Sequence, residues 1–336
     1  MATIDAWVAT AAGQKLSRQQ VDVGALGAED VEVQVEHCGL CHSDLSMLKN
    51  DWGLSQYPAV FGHEVIGRVV AVGSATKGIQ VGQRVGIGWN ASSCMHCRQC
   101  MSGDHHLCGT VQPTIVGHRG GFASHVRSHW AWTLPLPEQI NVAEAGPLLC
   151  GGVTVFNPLV MYAKPTSRVG IVGIGGLGHM GVKFAAAYGC DVTAFTSSES
   201  KFDEARQFGA HHVVSSRDAA GIQKLAGAFD LLIVTVNVQL DWNAMIGTLA
   251  PNGRIHFVGA ILEPIPVPAL ALIFGQKSLS GSPTGSPVAI ELMLEFAARH
   301  NITPQTEHYP MSRINDAFER LEAGKARYRI VLDADF

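Results

Sequence analysis

Cys41 is followed by His42, Ser43 and Asp44, and a loop carrying Trp52 leads on to Gly62, His63 and Glu64. A thiolate, an imidazole and a carboxylate so close in sequence can supply ligands to a catalytic zinc, which takes three protein groups and keeps a fourth position open for water or substrate. One more ligand is needed. We assign it to Cys150, because the run Leu149-Cys150-Gly151-Gly152 closes the cysteine-rich first half just before a nucleotide-binding pattern begins. Taken singly, such a histidine is more often a hydrogen-bonded residue and such a cysteine a small buried hydrophobe. The features that follow give the combination its weight.

Cys94, Cys97, Cys100 and Cys108 form a C-x2-C-x2-C-x7-C pattern, so four thiolates can converge on one ion from a small loop. Four sulfurs complete a tetrahedron and leave no place for substrate, which makes this a structural zinc site. The alternative is a set of reactive or redox thiols. A nucleic-acid knuckle would need a basic or aromatic patch around it, and none is present.

Further on, the short apolar run Arg168 to Val172 is followed by Gly173-Ile174-Gly175-Gly176-Leu177-Gly178 and a helical run from Met180 to Tyr188. Between a strand and a helix, Gly173 permits the tight turn, Gly175 lets the backbone approach a pyrophosphate, and Gly178 allows close helix packing, with Gly176 and Leu177 completing the turn. The helix N-terminus then offers free N–H groups to the phosphates. The next strand, Asp191 to Thr196, ends without the acidic residue that would hold an unphosphorylated ribose. Thr196, Ser197, Ser198 and Lys201 instead suit a 2′-phosphate, which predicts NADP(H). Glu199 is the one residue there of the wrong charge, and its side chain can turn to solvent.

These groups need a scaffold. Val31, Val33 and Val35 alternate with Glu32, Gln34 and Glu36, which predicts a strand with one buried face. Val65 to Val72 and Arg84 to Gly88 are further apolar runs, and the frequent glycines between them predict a partly closed β-barrel. After the second nucleotide strand, strands near Val213, at Phe229 to Val236, Gly253 to Gly259 and Leu279 to Gly281 alternate with helical stretches, giving a doubly wound parallel sheet. Ile314, Ala317, Phe318 and Leu321 predict an amphipathic helix started by Ser312, and Arg329 to Leu332 a last strand. The domains expected are residues 1–152, with the structural zinc lobe at about 90–110, a nucleotide domain at 153–287, and a return of 288–336 to the first domain.

The 336-residue length agrees with two domains, and 47% hydrophobic with 15% charged residues describes a core-rich globular chain. A net charge of −4 offers no general attraction to nucleic acid. Met1 to Lys15 shows no secretory pattern, and no apolar run reaches bilayer length, so no membrane partner is expected. The eight cysteines are then expected in a reducing cytoplasm, where clustered thiols point to metal.

With these motifs in register, the chain resembles, essentially end to end, the zinc-containing medium-chain alcohol dehydrogenases. Within them it is most similar to the cinnamyl-alcohol-dehydrogenase-type branch. Cys41-His42-Ser43-Asp44, Gly62-His63-Glu64, the four-cysteine lobe, Cys150-Gly151-Gly152, Gly173 to Gly178 and Ser197-Ser198-x-x-Lys201 carry the likeness. Trp52-Gly53-Leu54-Ser55-Gln56-Tyr57-Pro58 and Ala326-Arg327-Tyr328-Arg329 extend it to bacterial broad-range NADPH-dependent aldehyde reductases. The resemblance implies a GroES-like catalytic domain and an inserted Rossmann domain with the active cleft between them, two zinc ions per subunit, and homodimers or homotetramers formed through the Rossmann domain. It implies Cys41, His63 and Cys150 as catalytic zinc ligands and Glu64 as a carboxylate able to approach the metal. Ser43 matches the proton-relay hydroxyl and His42 a pyrophosphate contact, while Thr154, Thr235, Gly259, Ser282 and Arg329 fall where the branch lines its cofactor groove. Many members carry a histidine three residues after the relay hydroxyl; here that position is Ser46, which leaves the route of proton exit open.

The expected reaction is NADPH-dependent, zinc-assisted and reversible reduction of aliphatic and aromatic aldehydes to primary alcohols. Trp52 and Trp89 are expected to line an apolar pocket for this small-molecule substrate, with Ile261 near its mouth. The rival readings are a polyol or secondary-alcohol dehydrogenase of the same fold, and a non-catalytic nucleotide-sensing module.

Overall fold

An extended chain places residues two apart on one face, so the valines at 31, 33 and 35 become the buried side of the longest strand in the protein. The computed structural model describes residues 3–336. The chain divides into two compact units. Unit one comprises residues up to Cys150 and, again, Gly285–Phe336; unit two is Gly151–Thr284.

In unit one, β1 (Thr3–Val8) and β2 (Ser17–Asp22) pair antiparallel. β3 (Asp30–Leu40) buries Val31, Val33 and Val35 and leads directly into α1 (His42–Lys49). The Asp44 carboxylate in the first turn accepts from the Cys41 backbone N–H at 2.9 Å, where an acidic group also complements the helix dipole. Next come β4 (Val65–Val72), β5 (Arg84–Ile87), β6 (Asn90–Ser92), the single turn α2 (Arg98–Met101), β7 (Gln112–Pro113), β8 (His125–His129) and β9 (Leu134–Pro135).

Unit two opens with α3 (Gly151–Tyr162) and alternates regularly: β10 (Arg168–Val172), α4 (Gly178–Tyr188), β11 (Asp191–Thr196), α5 (Phe202–Gln207), β12 (His212–Ser215), α6 (Ala219–Gln223), β13 (Phe229–Val234), α7 (Trp242–Gly247), β14 (Leu249–Phe257), α8 (Ala269–Ile273) and β15 (Ser278–Gly281). Its six strands lie in the order β12-β11-β10-β13-β14-β15, and every pairing is parallel. The chain moves outward from β10 in one direction, then resumes beside β10 at β13 and moves outward in the other. This reversal opens a crevice beyond the carboxyl ends of β10 and β13, where doubly wound sheets bind ligands.

The chain then returns to unit one as α9 (Pro287–Arg299), β16 (Thr306–Pro310), α10 (Ile314–Glu322) and β17 (Arg329–Asp333). The main sheet of unit one has seven strands in the order β16-β17-β3-β4-β5-β9, with β8 also paired to β3. Ile314, Ala317 and Phe318 are buried in the same core as Val31, Phe61 and Phe122, which explains why the tail belongs here. Phe318 packs edge-on to Phe122 with ring centroids 6.0 Å apart. Asn315 adds a polar latch, accepting from the Leu16 N–H at 2.9 Å and donating to its carbonyl at 3.0 Å.

Three local expectations shift. Ser312 does not start α10: it sits in a 3-10 turn, Met311–Arg313, and its backbone N–H donates to Asp335 at 2.8 Å. The helix after the glycine-rich turn begins at Gly178 rather than Met180. The strand expected to reach Val236 stops at Val234, which frees Thr235 to face the crevice side of the sheet's end. Among the described residues no helix is long and apolar enough to cross a membrane.

Candidate active site

Cys41 sits where β3 gives way to α1, His63 and Glu64 directly precede β4, and Cys150 ends the first segment of unit one. The register of β3 with β4 and of β17 with β3 brings these points together, since Cys38 faces Val65 and Leu40 faces Ile330. One ligand atom from each of Cys41, His63, Glu64 and Cys150 lies within 4.8 Å of the others. His63 Nε2 is 3.3 Å from Cys150 Sγ.

The imidazole is aimed by Asp44. Its Nδ1–H donates to Asp44 Oδ1 at 2.9 Å, and the same carboxylate accepts from the backbone N–H of Gly62 and Cys41. An ionised carboxylate can only accept, so Nδ1 keeps its hydrogen; in the neutral ring Nε2 then turns its lone pair toward the sulfurs, the arrangement a metal-binding histidine requires. Asp44, His63 and Glu64 are all wholly buried.

Charge in this centre is tightly coupled. A hydrogen bond from Cys150, helped by Arg329, holds the Cys41 thiol well below its usual range in spite of burial. Cys150 is pushed up by the bond it makes to Cys41 and by burial. Burial works against a charged His63, but Asp44 and Cys41 together override it and raise the imidazole. Glu64 is raised to about 7, because burial outweighs the pull of Arg329.

The resemblance puts Arg329 at the cofactor groove. Within unit one it is buried, ion-paired to Glu64 and with Nη1 3.8 Å from Cys41 Sγ. Strand β17 carries it there, and its place in a strand that reads as plain core hid the role. Gly39 was also missed: a Cβ at this position would lie 2.0 Å from Glu64 Oε2, so only glycine leaves room for that carboxylate.

The donor set fits zinc. Two thiols, one oriented imidazole and a carboxylate match its preferences, and Glu64 Oε2 is buried with no hydrogen-bond partner, an atom that a cation would satisfy. Trp89 stands edge-on to His63 with ring centroids 4.9 Å apart, and Trp52 packs on Trp89 at 6.1 Å. Both aromatic side chains thus flank the centre. Ile261 lies in unit two, where it packs against that unit's own core. Ser43 is half-buried, its Oγ 3.7 Å from Cys41 Sγ, while His42 is exposed and Ser46 is buried within α1.

The second cluster is equally plain. Single ligand atoms of Cys94, Cys97, Cys100 and Cys108 lie within 4.8 Å of one another, and the Cys97 backbone N–H donates to Cys94 Sγ at 3.3 Å. Hydrogen bonds from the Cys94 backbone and Thr110 draw the Cys108 thiol down to about 6, whereas burial pushes Cys100 up to about 11. N–H groups pointing at sulfur favour the thiolate that a metal requires.

In unit two, Gly178 is so close to the preceding turn that a Cβ there would stand 1.7 Å from the Gly173 carbonyl oxygen. A Cβ on Gly175, by contrast, would meet nothing within 4 Å, so its backbone is open to a close ligand such as a pyrophosphate. Thr235 Oγ1 donates to the carbonyls of Val172 and Gly173 at 3.0 and 2.9 Å, tying the end of β13 to the turn after β10. Lys201 reaches the same turn, donating to the Ile174 carbonyl at 3.0 Å, and so brings its ammonium beside the glycines. Thr196 is buried, with Oγ1 accepting from the Ser198 N–H at 3.3 Å; Ser198 Oγ is 2.8 Å from Ser200 Oγ, and Ser197 is exposed. Gly176 and Leu177 are half-buried in the turn. Thr154 is buried in α3, Gly259 lies against the Val236 carbonyl, and Ser282 follows β15.

A crevice that suits a dinucleotide and a cysteine-histidine metal centre in one chain define a zinc-dependent oxidoreductase of the dehydrogenase type. Residues 27–138 match the family described as Alcohol dehydrogenase GroES-like domain, and residues 176–299 the one described as Zinc-binding dehydrogenase. The chain is 51% identical over 330 residues to Aldehyde reductase AdhA of Synechocystis sp., covering 98% of each. Among solved structures it is similar to a cinnamyl alcohol dehydrogenase from Sorghum bicolor, with a TM-score of 0.95, 37% identity and coverage of 99% and 98%. It is also similar to a cinnamyl alcohol dehydrogenase from Helicobacter pylori complexed with NADP(H), at a TM-score of 0.90, 26% identity and 98% of each chain. The chain belongs to the zinc-binding alcohol dehydrogenases. Its fold class is that family's, a GroES-like catalytic part joined to a Rossmann-type part.

Proposed function

We propose that the protein is an NADPH-dependent, zinc-assisted aldehyde reductase working reversibly on aliphatic and aromatic aldehydes. The observation that carries this reading is the convergence of Cys41, His63 and Cys150 beside an unpartnered Glu64 oxygen; three protein ligands would leave a tetrahedral zinc one further position. The 51% identity to a protein named an aldehyde reductase supports it.

Zinc held by Cys41, His63 and Cys150 would supply Lewis acidity toward a carbonyl oxygen, and NADPH the hydride. The chain's own residues do the rest. Asp44 keeps His63 in the one tautomer that can bind the metal. Trp52 and Trp89 offer an aromatic wall beside the centre, which favours apolar aldehydes and excludes water. Reduction adds hydride to carbon and a proton to oxygen; Ser43 Oγ is the proton donor in this scheme, and its partial exposure lets it be recharged from solvent. Arg329, paired with Glu64, offsets negative charge on the carboxylate and on the nearby sulfurs. Gly173 to Gly178, Thr154, Thr235, Gly259 and Ser282 form the proposed nucleotide groove. Ser197, Ser198 and Lys201 form its phosphate end, and His42 is a proposed pyrophosphate contact.

A second ion held by Cys94, Cys97, Cys100 and Cys108 is structural in this reading, since four sulfurs leave no site for substrate. The eight cysteines are all free, which suits a reducing cytoplasm. Assembly as a homodimer or homotetramer through unit two is part of the proposal. In that unit β15 is an edge strand, and Leu262, Leu270, Ile273 and Phe274 are exposed just before it.

The test is an aldehyde and polyol panel followed at the NADPH absorbance band with NADPH and NADH, with zinc quantified on the same sample. Aldehydes with NADPH should turn over fastest, with zinc near two per chain. Ser43→Ala should keep its zinc and lose turnover about a hundred-fold or more. Polyols outpacing aldehydes, or NADH equalling NADPH, would reverse the substrate or cofactor assignment.

A further inference from the structure

His256 is a buried titratable side chain that the proposed chemistry leaves without a role. It lies one residue before the end of β14, is 1% exposed, and faces Ser280 of β15 in register. Its ring bridges two hydroxyls of the neighbouring strand: Nδ1 is 2.9 Å from Ser280 Oγ and Nε2 is 2.8 Å from Ser282 Oγ. Residues two apart on an extended chain share a face, so one imidazole can reach both. The Tyr162 ring, at the end of α3, covers the imidazole at 5.4 Å, and the Arg254 guanidinium lies 4.2 Å above that same tyrosine.

Burial, reinforced by the charge of Arg254, draws the imidazole down to about 4. The ring is therefore neutral near pH 7, with one nitrogen donating and the other accepting. Each serine then has a defined partner, and the hydroxyl of Ser282 is fixed in direction by a rigid ring rather than by solvent. Ser282 stands just past the carboxyl end of β15, at the same end of the parallel sheet as the crevice beyond β10 and β13. Two residues on, the Thr284 hydroxyl is buried with no partner, so this strand end carries polar groups not satisfied by the protein alone.

We propose that His256 is a positioning residue for the nicotinamide nucleotide, holding the Ser282 hydroxyl in the orientation in which it meets the cofactor. The inference rests on the reading of Ser282 as a cofactor contact. A histidine that merely joined two strands would work equally well through Ser280 alone.

The variants follow from ring geometry. A glutamine amide reaches where Nε2 stands, and an asparagine amide only where Nδ1 stands. The dissociation constant for NADPH is measured from the change in nicotinamide fluorescence on binding, on the zinc-loaded full chain, with thermal unfolding followed in parallel. Removing one hydrogen bond to the cofactor's partner should raise that constant about 5- to 10-fold in His256→Leu. His256→Gln should recover most of the loss and His256→Asn little of it. In a Ser282→Ala background, the further change His256→Leu should have no additional effect, because the group it acts through is gone.

Additive losses in the double variant, or equal rescue by asparagine and glutamine, would overturn the proposal. So would a lowered Tm in His256→Leu with an unchanged dissociation constant. Should His256→Leu fail to fold, His256→Gln and His256→Asn, each alone and with Ser282→Ala, still decide the matter. An unchanged constant in Ser282→Ala alone would remove Ser282 from the groove and this inference with it, while leaving aldehyde reduction standing. A wild-type chain that does not bind NADPH would instead overturn the function itself.

Discussion

At the scale of single residues, the proposed metal centre depends on donors held in place by their neighbours. Cys41→Ala and His63→Ala each remove one of the three proposed zinc ligands, and the hard oxygen of Glu64 is a poor substitute for a thiolate or an imidazole. Both are expected to lose the ion at this centre while keeping the one in the cysteine lobe. Activity should fall about a thousand-fold or more, since several kcal/mol of carbonyl polarisation go with the metal. Zinc near one per chain, measured beside turnover, is the expected result; an active Cys41→Ala protein lacking that zinc would end the reading. Asp44 touches no substrate, yet it holds the His63 ring and two backbone N–H groups. Replacing it with alanine should weaken zinc binding about 10- to 100-fold, read by competition with a chelator. Asp44 stands three residues after Cys41 in the sequence, but nothing in the order of residues says that its partner is the imidazole 19 positions on.

At the scale of elements, α10 and β17 decide whether the first unit closes. Phe318 is 5% exposed and packs on Phe122 across a gap of nearly two hundred residues in the chain. Phe318→Ala should destabilise the protein by about 3–5 kcal/mol, and a denaturant midpoint no lower than wild type would contradict the packing described. The same helix is tied to β16, where Arg320 hydrogen-bonds Glu307 and holds its carboxyl below the ordinary range. A carboxyl depressed on folding contributes stability above its unfolded value, and that contribution is lost as pH falls through the folded one. Glu307→Gln should therefore be less stable than wild type at pH 7, with the difference closing below about pH 4. A difference that persists or widens in acid would show that the pair does not titrate this way. The helix itself was readable from its apolar spacing. Its start was not, because Ser312 looks like a cap but is drawn off by Asp335 from the far end of the chain.

At the scale of the whole molecule, the proposed assembly makes a prediction about mass. Phe274 is 86% exposed and Ile273 64%, on a segment that leads into an edge strand. Large apolar side chains left open beside unpaired backbone groups favour covering by a second copy. Light scattering on the purified protein should give a dimer or tetramer, and Phe274→Asp should shift it toward monomer. A wild-type monomer at micromolar concentration would remove this part of the proposal.

The sequence by itself determined what is local. Four cysteines within one short loop can meet at little cost in chain entropy, whatever the rest of the fold does. A glycine-rich turn between an apolar strand and a helix prescribes its own geometry whatever surrounds it. The six parallel strands of unit two were legible for the same reason, each apolar run standing alone between turn signals. The partners of distant groups were decided only in three dimensions. Arg329 reads as the first residue of a terminal strand, and its delivery to Glu64 depends on the pairing of β17 with β3. His256 reads as one of the polar residues alternating along its strand, and its two serines come from the register of β14 with β15. Composition and spacing specify which groups a segment carries and which face they occupy. The strand register, set by burial of residues far apart in the chain, specifies what those groups touch.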